Sequence, residues 1–250
     1  MDTNGTTDSM SSLARGLLVL EVIADAQPIG VADLARRLDM PKSSVQRTLK
    51  TLAEAGWLVS TDEHRTRWFL AAKVRSIGHR AGGEPSLLQA ALPHVQWLAQ
   101  QTQETIHFGV PIGDRSMVVL DRVDSTRPVR TFMAIGTTIP LHASASGKAI
   151  MSGWEDARLN AYINGGLDRI TPTTLTSAPD FLRQLEQVRA QGYAANFAEN
   201  REDVFAIGSA VGTLAAVSIS MPATRFDPDR VEEWGGLARE TCARIGRALG

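Results

Sequence analysis

The sequence predicts an α+β chain of two domains, a small helical head and a larger body with an antiparallel sheet. Three observations predict it. Two helical patterns precede a basic amphipathic helix that starts near Pro41, and a short hairpin follows it. The Gly-Gly-Glu-Pro segment at residues 82–85 then breaks the helical pattern. Beyond it, strand-like and helix-like stretches alternate to residue 250.

The length allows this division. A chain of 250 residues can form two domains that each bury a core. We predict a head at residues 11–71, a linker helix and junction at 72–85, and a body at 86–250. Residues 1–11 are polar and acidic, which predicts a loose tail rather than a signal peptide. No apolar run approaches the roughly 20 residues of a membrane span, so we expect a cytoplasmic protein.

The head begins with two helical patterns. The first covers residues 12–24, with Ser12 available as its N-cap. The second covers residues 31–38 and is separated from Pro41 by only two residues. A link this short is typical of a helix-turn-helix.

The helix that begins at Pro41 has two different faces. Val45, Leu49 and Leu52 recur at i, i+4 and i+7 and form one apolar stripe. The opposite face carries Lys, Ser, Gln, Arg and Thr, with Glu54 as its one acid. Such a face fits a DNA major groove, where Arg and Gln have base-edge partners. Taken alone, the pattern is equally typical of an amphipathic helix with a solvated basic face.

A predicted hairpin follows the helix. Gly56 ends the helix, and residues 57–60 and 67–70 have the character of two short strands around a polar turn. Arg65 and Arg67 lie where the hairpin could meet a phosphate backbone. Three helices and a hairpin in this order predict a winged helix-turn-helix.

The charges are distributed unevenly. The formal net charge is −1, but residues 36–80 carry +6 and residues 81–250 carry −3. A basic head on a mildly acidic body is typical of nucleic-acid binding. The single cysteine, Cys242, excludes an internal disulfide and a multi-cysteine zinc site. We expect it to be buried and inert in the last helix.

In the body, strands and helices alternate. The predicted strands cover residues 105–111, 117–123, 129–135, 193–197, 207–211 and 214–221. The predicted helices begin with one that Ser86 caps and Pro93 kinks, and continue at residues 143–152, 156–163, 178–191 and 227–250. Gly212 and Thr213 predict a two-residue type II′ turn. An antiparallel sheet with helices packed on it is typical of small-molecule sensor domains.

The body carries no complete catalytic motif. Gly147-Lys148-Ala149 resembles the end of a phosphate loop, but the loop's first glycine would fall at His142. His142 with Ser144 and Ser146 has the residue types of a base and nucleophile, without a Gly-x-Ser-x-Gly elbow. A histidine that caps a loop fits this pattern better. Three acids are more typical of surface charges than of metal ligands: Glu199, Glu202 and Asp203. We expect no enzyme activity, no metal and no cofactor.

Several segments together resemble the isocitrate-lyase-regulator (IclR) family of bacterial transcription factors. They include Met-Pro-Lys-Ser-Ser-Val-Gln-Arg at 40–47 and Leu-His-Ala-Ser-Ala-Ser-Gly-Lys-Ala at 141–149, with shorter matches at 12–21, 55–58 and 192–194. The resemblance covers about residues 11–248. It implies a winged helix-turn-helix, a linker helix and a GAF-like effector domain. It also implies homodimers or homotetramers on palindromic operator DNA.

The resemblance assigns DNA contacts to the helix after Pro41. Ser43 and Ser44 would offer donors to phosphates. Gln46 and Arg47 would read bases, each good pair discriminating by about 1–3 kcal/mol. The candidate DNA-contacting residues are Lys42, Ser43, Ser44, Gln46, Arg47, Lys50, Arg65 and Arg67.

The resemblance also implies an effector site where the helix after His142 starts. There, the N–H groups and the helix dipole favour a carboxylate. Phe205 and Ala206 stand where the family has arginine and cysteine, so we expect a more apolar lining, although Phe205 is equally typical of a core. We hypothesise an aromatic or medium-sized organic acid rather than a two- or three-carbon oxoacid. The candidate effector-contacting residues are Met133, Leu141, Ala145, Ser146, Gly147, Asn196, Phe197, Phe205 and Ala206.

The expected function is therefore that of a ligand-responsive transcriptional regulator. Two other functions stay open on the residues alone. One is a small-molecule-binding enzyme that carries a winged helix, and the other is a winged helix that contacts protein rather than DNA. The sequence does not distinguish a repressor from an activator.

Overall fold

The computed structural model describes residues 11–61, 66–81 and 87–250. The chain forms two compact units, within residues 1–84 and 85–250. In the described ranges, none of the helices combines the length and the apolar character needed to cross a bilayer.

The first unit is a winged helix-turn-helix, as predicted. Its described elements are α1 Ser12–Ala26, α2 Val31–Arg37, α3 Lys42–Glu54, β1 Leu58–Ser60, β2 Trp68–Leu70 and α4 Ala72–Ala81. The two strands pair antiparallel, with Val59 opposite Phe69. Fully buried side chains from α1, α2 and α3 form the core: Val19, Ile23, Leu34, Val45 and Leu49.

Two helix starts in the first unit differ from the prediction, and in the second unit α6 begins at Ala145 rather than at residue 143. Ser11, rather than Ser12, caps α1, and its Oγ accepts the N–H of Ala14 at 3.2 Å. Pro41 is the N-cap of α3 rather than its first residue, with a non-helical ψ of 135°. In both places the cap residue has a non-helical backbone, and the helix begins at the residue that follows it.

The second unit is built on a six-stranded antiparallel sheet. Its helices are α5 Leu87–Thr102, α6 Ala145–Ser152, α7 Asp156–Asn164, α8 Ala178–Gln191 and α9 Val231–Ala248. Its strands are β3 Thr105–Ile112, β4 Ser116–Val123, β5 Thr138–Pro140, β6 Ala194–Phe197, β7 Val204–Val211 and β8 Ala215–Pro222. The strand order is β5-β4-β3-β8-β7-β6. The prediction of an α+β chain with an antiparallel body is confirmed.

The two faces of the sheet carry different cores. Ile106 and Phe108 of β3 pack with Val95 of α5 and with Trp234 and Ile245 of α9 on one face. Helix α6 contacts β7, β8 and α8, and its residues Ile150 and Met151 belong to a second cluster with Phe181 and Leu185. Since side chains alternate along a strand, His107, which lies between Ile106 and Phe108, faces away from α5 and α9.

The segment at residues 129–135 is not a strand, which corrects the prediction. The third strand of this edge is β5, whose Ile139 pairs with Met117 of β4. The segment crosses the end of the sheet, where Thr105 Oγ1 donates to the Thr131 carbonyl at 3.2 Å and Thr131 Oγ1 donates to the Ser220 carbonyl at 3.1 Å. Its apolar residues Val129, Phe132 and Ile135 are exposed, so their strand-like residue types do not reflect sheet pairing.

Three further predictions need adjustment. Helix α5 continues through Pro93 without a restart. The turn between β7 and β8 is three residues long, because Val211 pairs with Ala215, while Gly212 has the expected positive φ of 55°. Asp227 caps a single 3-10 turn at Pro228–Arg230, after which α9 begins. The predicted cap Ser86 lies outside the described residues.

Candidate nucleic-acid interface and effector cleft

The polar face of α3 is exposed to solvent. Val45 and Leu49 anchor the opposite face in the core, which turns the polar side chains outward. The exposed residues are Lys42, Ser43, Gln46, Arg47 and Lys50, while Ser44 is half-buried. The first turn of α3 holds no acid and its N-cap makes no side-chain hydrogen bond, so the helix start can accept a phosphate.

The basic candidates differ in their partners. Lys50 Nζ lies 3.8 Å from Glu54, and Arg67 Nη1 lies 3.6 Å from Asp33. Among the described residues, Lys42 and Arg47 form no ion pair. These two cations are therefore the ones most available to a DNA backbone or base. Arg65 lies outside the described residues.

A cleft opens on the face of the sheet that α5 and α9 do not cover. About 610 Å³ in and around it is free of protein atoms, including solvent at its open mouth, and about 50 Å³ of this can hold the centre of a water molecule. Its floor comes from strands β3, β4, β7 and β8, its rim from residues 131–133, and its far wall from the start of α6 and from Asn200 and Arg201. The apolar side chains of Met117, Val119 and Ile139 lie on one side of the floor. The hydroxyl groups of Ser218 and Ser220 lie on the other side.

The structure brings five of the nine predicted effector residues to this cleft. They are Met133, Ala145, Ser146, Asn196 and Ala206. Leu141 and Gly147 lie behind them, where a Cβ on Gly147 would come within 2.2 Å of the Leu141 carbonyl oxygen. That contact explains why the helix start needs glycine.

Phe197 and Phe205 lie on the opposite face of the sheet from the cleft. Their rings meet edge to face at 5.3 Å, and each also contacts Phe226. The strand period explains their position, because Asn196 and Ala206 pair on the cleft side and their neighbours must face the α9 side. The expected apolar lining comes instead from Met117, Met133, Val119 and Ile139.

Several cleft residues were missed by the sequence predictions. They include His107, Ser144, Asn200, Arg201, Ser218 and Ser220. A signal was available in β3 and β8, where polar residues alternate with Ile106, Phe108, Val217 and Ile219. Polar residues on the second face of a fully covered strand indicate a lined cavity rather than solvent.

The start of α6 forms one wall of the cleft and is held in place by side-chain hydrogen bonds. Ser144 caps the helix and its Oγ accepts the Gly147 N–H at 3.1 Å. Asn196 Nδ2 donates to the Ala143 carbonyl at 2.6 Å. The N–H groups of Ala145 and Ser146, at the first two helical positions, have no partner within the helix and can bind an acid.

Two arginines tie the rim of the cleft to its walls. Arg122 Nη1 donates to the Met133 carbonyl at 2.5 Å, and Arg201 Nη1 donates to the Phe132 carbonyl at 3.0 Å. The Arg122 guanidinium also lies 4.1 Å from the centre of the Phe132 ring. The two arginines therefore hold the rim in place, because they bind the backbone carbonyl groups of Phe132 and Met133.

Other residues considered for catalysis have structural partners. His142 Nδ1 lies 3.0 Å from the Tyr162 hydroxyl and Nε2 lies 2.9 Å from the Asp168 carbonyl, so neither nitrogen can serve as a base for Ser144. Burial raises the pKa of the Cys242 thiol to about 11. Among the described residues, no group of three or more candidate ligands could hold a metal ion.

Glu199 is buried, which corrects the expectation of a surface charge. It is 4% exposed, and its Oε1 lies 2.5 Å from Nζ of Lys148, which is fully buried in α6. Burial lowers the pKa of Lys148, and the neighbouring carboxylate of Glu199 opposes this shift. Glu202 and Asp203 are exposed as expected.

Among the histidines whose side chains the structure describes, His107 is the one that lines the cleft. Its side chain is 6% exposed, and Nδ1 lies 3.1 Å from Ser220 Oγ. Burial, reinforced by the positive charges of Arg122 and Arg201 and opposed by Asp124, lowers the pKa of His107 from 6.5 to about 4. The ring is therefore neutral at pH 7.

This pKa predicts an acid-dependent loss of stability. Between pH 6.5 and about 4 the unfolded chain protonates His107 and the folded chain does not, so the free energy of unfolding falls as pH falls. We expect His107→Gln to remove roughly 3 kcal/mol of the loss between pH 7 and 4. Urea unfolding at several pH values measures it. A pH profile of His107→Gln that matches the wild type would contradict the assignment.

Comparison with known proteins agrees with this geometry. Residues 12–62 match the IclR helix-turn-helix domain, and residues 81–247 match the C-terminal domain of bacterial transcriptional regulator IclR. The HTH-type transcriptional regulator KdgR of Escherichia coli (strain K12) is 30% identical over 256 residues, which cover 100% of this chain and 96% of KdgR. The HTH-type transcriptional repressor AllR of Salmonella typhimurium (strain LT2) is 32% identical over 246 residues, which cover 96% of this chain and 90% of AllR.

A solved structure shows the same fold. The crystal structure of an IclR homolog complexed with 4-hydroxybenzoate, from Microbacterium hydrocarbonoxydans, has a TM-score of 0.79 at 24% identity and covers 96% of this chain and 99% of that one. The similar curated proteins are named as transcriptional regulators rather than as enzymes. The chain therefore belongs to the IclR family of bacterial transcriptional regulators, as a DNA-binding regulator that responds to a ligand.

Proposed function

We propose that this regulator binds palindromic operator DNA as a homodimer or homotetramer, and that a small organic acid in the cleft changes its DNA affinity. The observation that carries the acid half is the start of α6, where Ala145 and Ser146, whose N–H groups have no helical partner, line the cleft beside Asn196. A helix N-terminus attracts a carboxylate through these donors and through its dipole. Arg201 lies on the same wall, but its guanidinium is already paired with Asp203 at 2.9 Å, so the acid would depend on the helix start.

The DNA half rests on α3. Gln46 and Arg47 would read base edges, while Lys42 and Ser43 would contact phosphates. Lys50 and Arg67 would contribute less, since each already has an acidic partner in the first unit. Two copies related by a two-fold axis would place two α3 helices in successive major grooves.

The lining supports an aromatic or medium-sized acid. Met117, Val119 and Ile139 offer apolar surface opposite the hydroxyl groups of Ser218 and Ser220. A two- or three-carbon oxoacid would leave most of this surface uncovered. The homolog from Microbacterium hydrocarbonoxydans, whose fold is similar, was crystallised with 4-hydroxybenzoate. An acid of that size suits this cleft.

The test is an anisotropy titration on DNA from upstream of the regulator's own gene, with benzoate-sized acids added. Gly208→Ala should weaken the response, because the new Cβ would lie 2.9 Å from the Ala145 carbonyl carbon and the Ser146 nitrogen. The start of α6 must then shift. We expect at least roughly tenfold weaker acid binding, as the N–H groups leave hydrogen-bonding geometry.

A matched control lies at the other end of α6. A Cβ on Gly153 would make only ordinary contacts at 3.6 Å, and its φ of −90° suits any residue. Gly153→Ala should respond to acid like the wild type. If Gly208→Ala binds acid normally, the carboxylate is held elsewhere. If no acid changes DNA affinity in the wild type, the proposed response is wrong.

A further inference from the structure

We propose that His107 is a second recognition point in the cleft, and that the effector carries a hydrogen-bonding group at the end opposite its carboxylate. A hydroxyl or a carbonyl oxygen is the group that fits. The inference rests on the proposed acid site at α6 and specifies the class of acid that the site takes.

The first observation is an unpartnered nitrogen. His107 Nδ1 is held by Ser220, but Nε2 is buried and has no hydrogen-bond partner among the described residues. Buried polar atoms are nearly always paired, because an unpaired one has lost its hydration without replacement. A ligand group that meets Nε2 in the cleft would restore the missing bond.

The second observation is the position of His107 relative to α6. His107 of β3 pairs with Ser218 of β8, and Ser218 pairs with Gly208 of β7. Gly208 lies directly beneath Ala145 and Ser146. These residues thus form one row across the floor of the cleft.

The row sets the length of the ligand. Two strand spacings separate His107 from Gly208, which is about 10 Å between their backbones. A carboxylate at the start of α6 and a polar group at His107 therefore sit at opposite ends of one molecule. A substituted benzene ring or a chain of about six carbons spans the gap, and a three-carbon acid does not.

The chemistry of the ring selects the second group. A neutral imidazole donates from one nitrogen and accepts at the other, and the Ser220 hydroxyl can take either role at Nδ1. Nε2 is then free to donate to a carbonyl or to accept from a hydroxyl. An aliphatic or aromatic end without such a group would leave Nε2 unpaired and bind more weakly.

The test compares pairs of acids on the full chain by calorimetry. The probes are 4-hydroxybenzoate against benzoate and 6-hydroxyhexanoate against hexanoate. We expect the wild type to bind the hydroxylated member of at least one pair roughly tenfold more tightly. His107→Phe should bind both members of that pair equally, with the affinity of the unhydroxylated acid. His107→Gln, whose amide can replace Nε2, should restore the preference.

The outcomes separate this inference from the proposed function. Equal binding of both members of each pair by the wild type would overturn the role of His107 while leaving the acid site intact, provided Gly208→Ala still loses binding. A preference that persists in His107→Phe would also overturn it. If none of the four acids binds, both proposals fail.

Discussion

The double variant Lys42→Ala/Arg47→Ala is expected to bind operator DNA roughly 100-fold more weakly than the wild type, because a base contact and a phosphate contact each contribute about 1–3 kcal/mol. Both side chains are exposed at α3 and lack an acidic partner among the residues described. Anisotropy at several salt concentrations measures the loss. Removing the Lys42 contact should also reduce the slope of log affinity against log salt by about 1.

A matched control removes the same charge from the other unit. Arg183 and Arg247 are exposed on α8 and α9, so Arg183→Ala/Arg247→Ala changes the net charge equally. This control should bind DNA with nearly wild-type affinity. If both doubles weaken binding alike, net charge rather than α3 drives the interaction. Unchanged binding by the α3 double, in a folded protein, would remove α3 from the interface.

The single variants Lys148→Met and Glu199→Gln are each expected to lower the free energy of unfolding of the second unit by about 3–5 kcal/mol. Either change leaves a buried polar or charged group without its ionic partner. Helix α6 and the chain after β6 would lose the contact that joins them, close to Asn196 and the cleft. Urea denaturation of the full chain, with amide hydrogen exchange in α6, measures both effects.

The control for this pair is its apolar replacement. Lys148→Met/Glu199→Met removes both charges and keeps similar volumes, so it should be far more stable than either single variant. Additive losses in the double variant would show that the two residues act independently. Wild-type stability in both single variants would show that the buried pair is not needed to hold α6.

The head was predictable because its signals are local. The apolar stripe of Val45, Leu49 and Leu52 requires a helix with its polar face outward whatever else the chain does. The structure places Val45 and Leu49 in the core accordingly. The sequence did not indicate which acidic residue each cation of the head contacts. Arg67 meets Asp33, 34 positions earlier, and no local pattern indicates that contact.

The fold class of the body was predictable from the sequence, but the residues that line its cleft were predicted only in part. Periodicity located nearly every helix, but residues 129–135 have strand-like residue types and do not pair, since pairing depends on which backbone lies alongside. Phe205 was assigned to the ligand through the family resemblance. Its neighbour Ala206 faces the cleft, so the two-residue strand period places Phe205 on the far side.

The sequence by itself determined the winged helix-turn-helix, the basic face of α3, a helix shortly after His142 and membership of a two-domain regulator class. Each depends on residues within a few positions of one another. Only the tertiary structure decided that His107, Ser218 and Gly208 form one row beneath α6 and that Lys148 meets Glu199 in the interior. These contacts join residues that are 10 to more than 100 positions apart, and they exist only once strand register and helix packing are fixed.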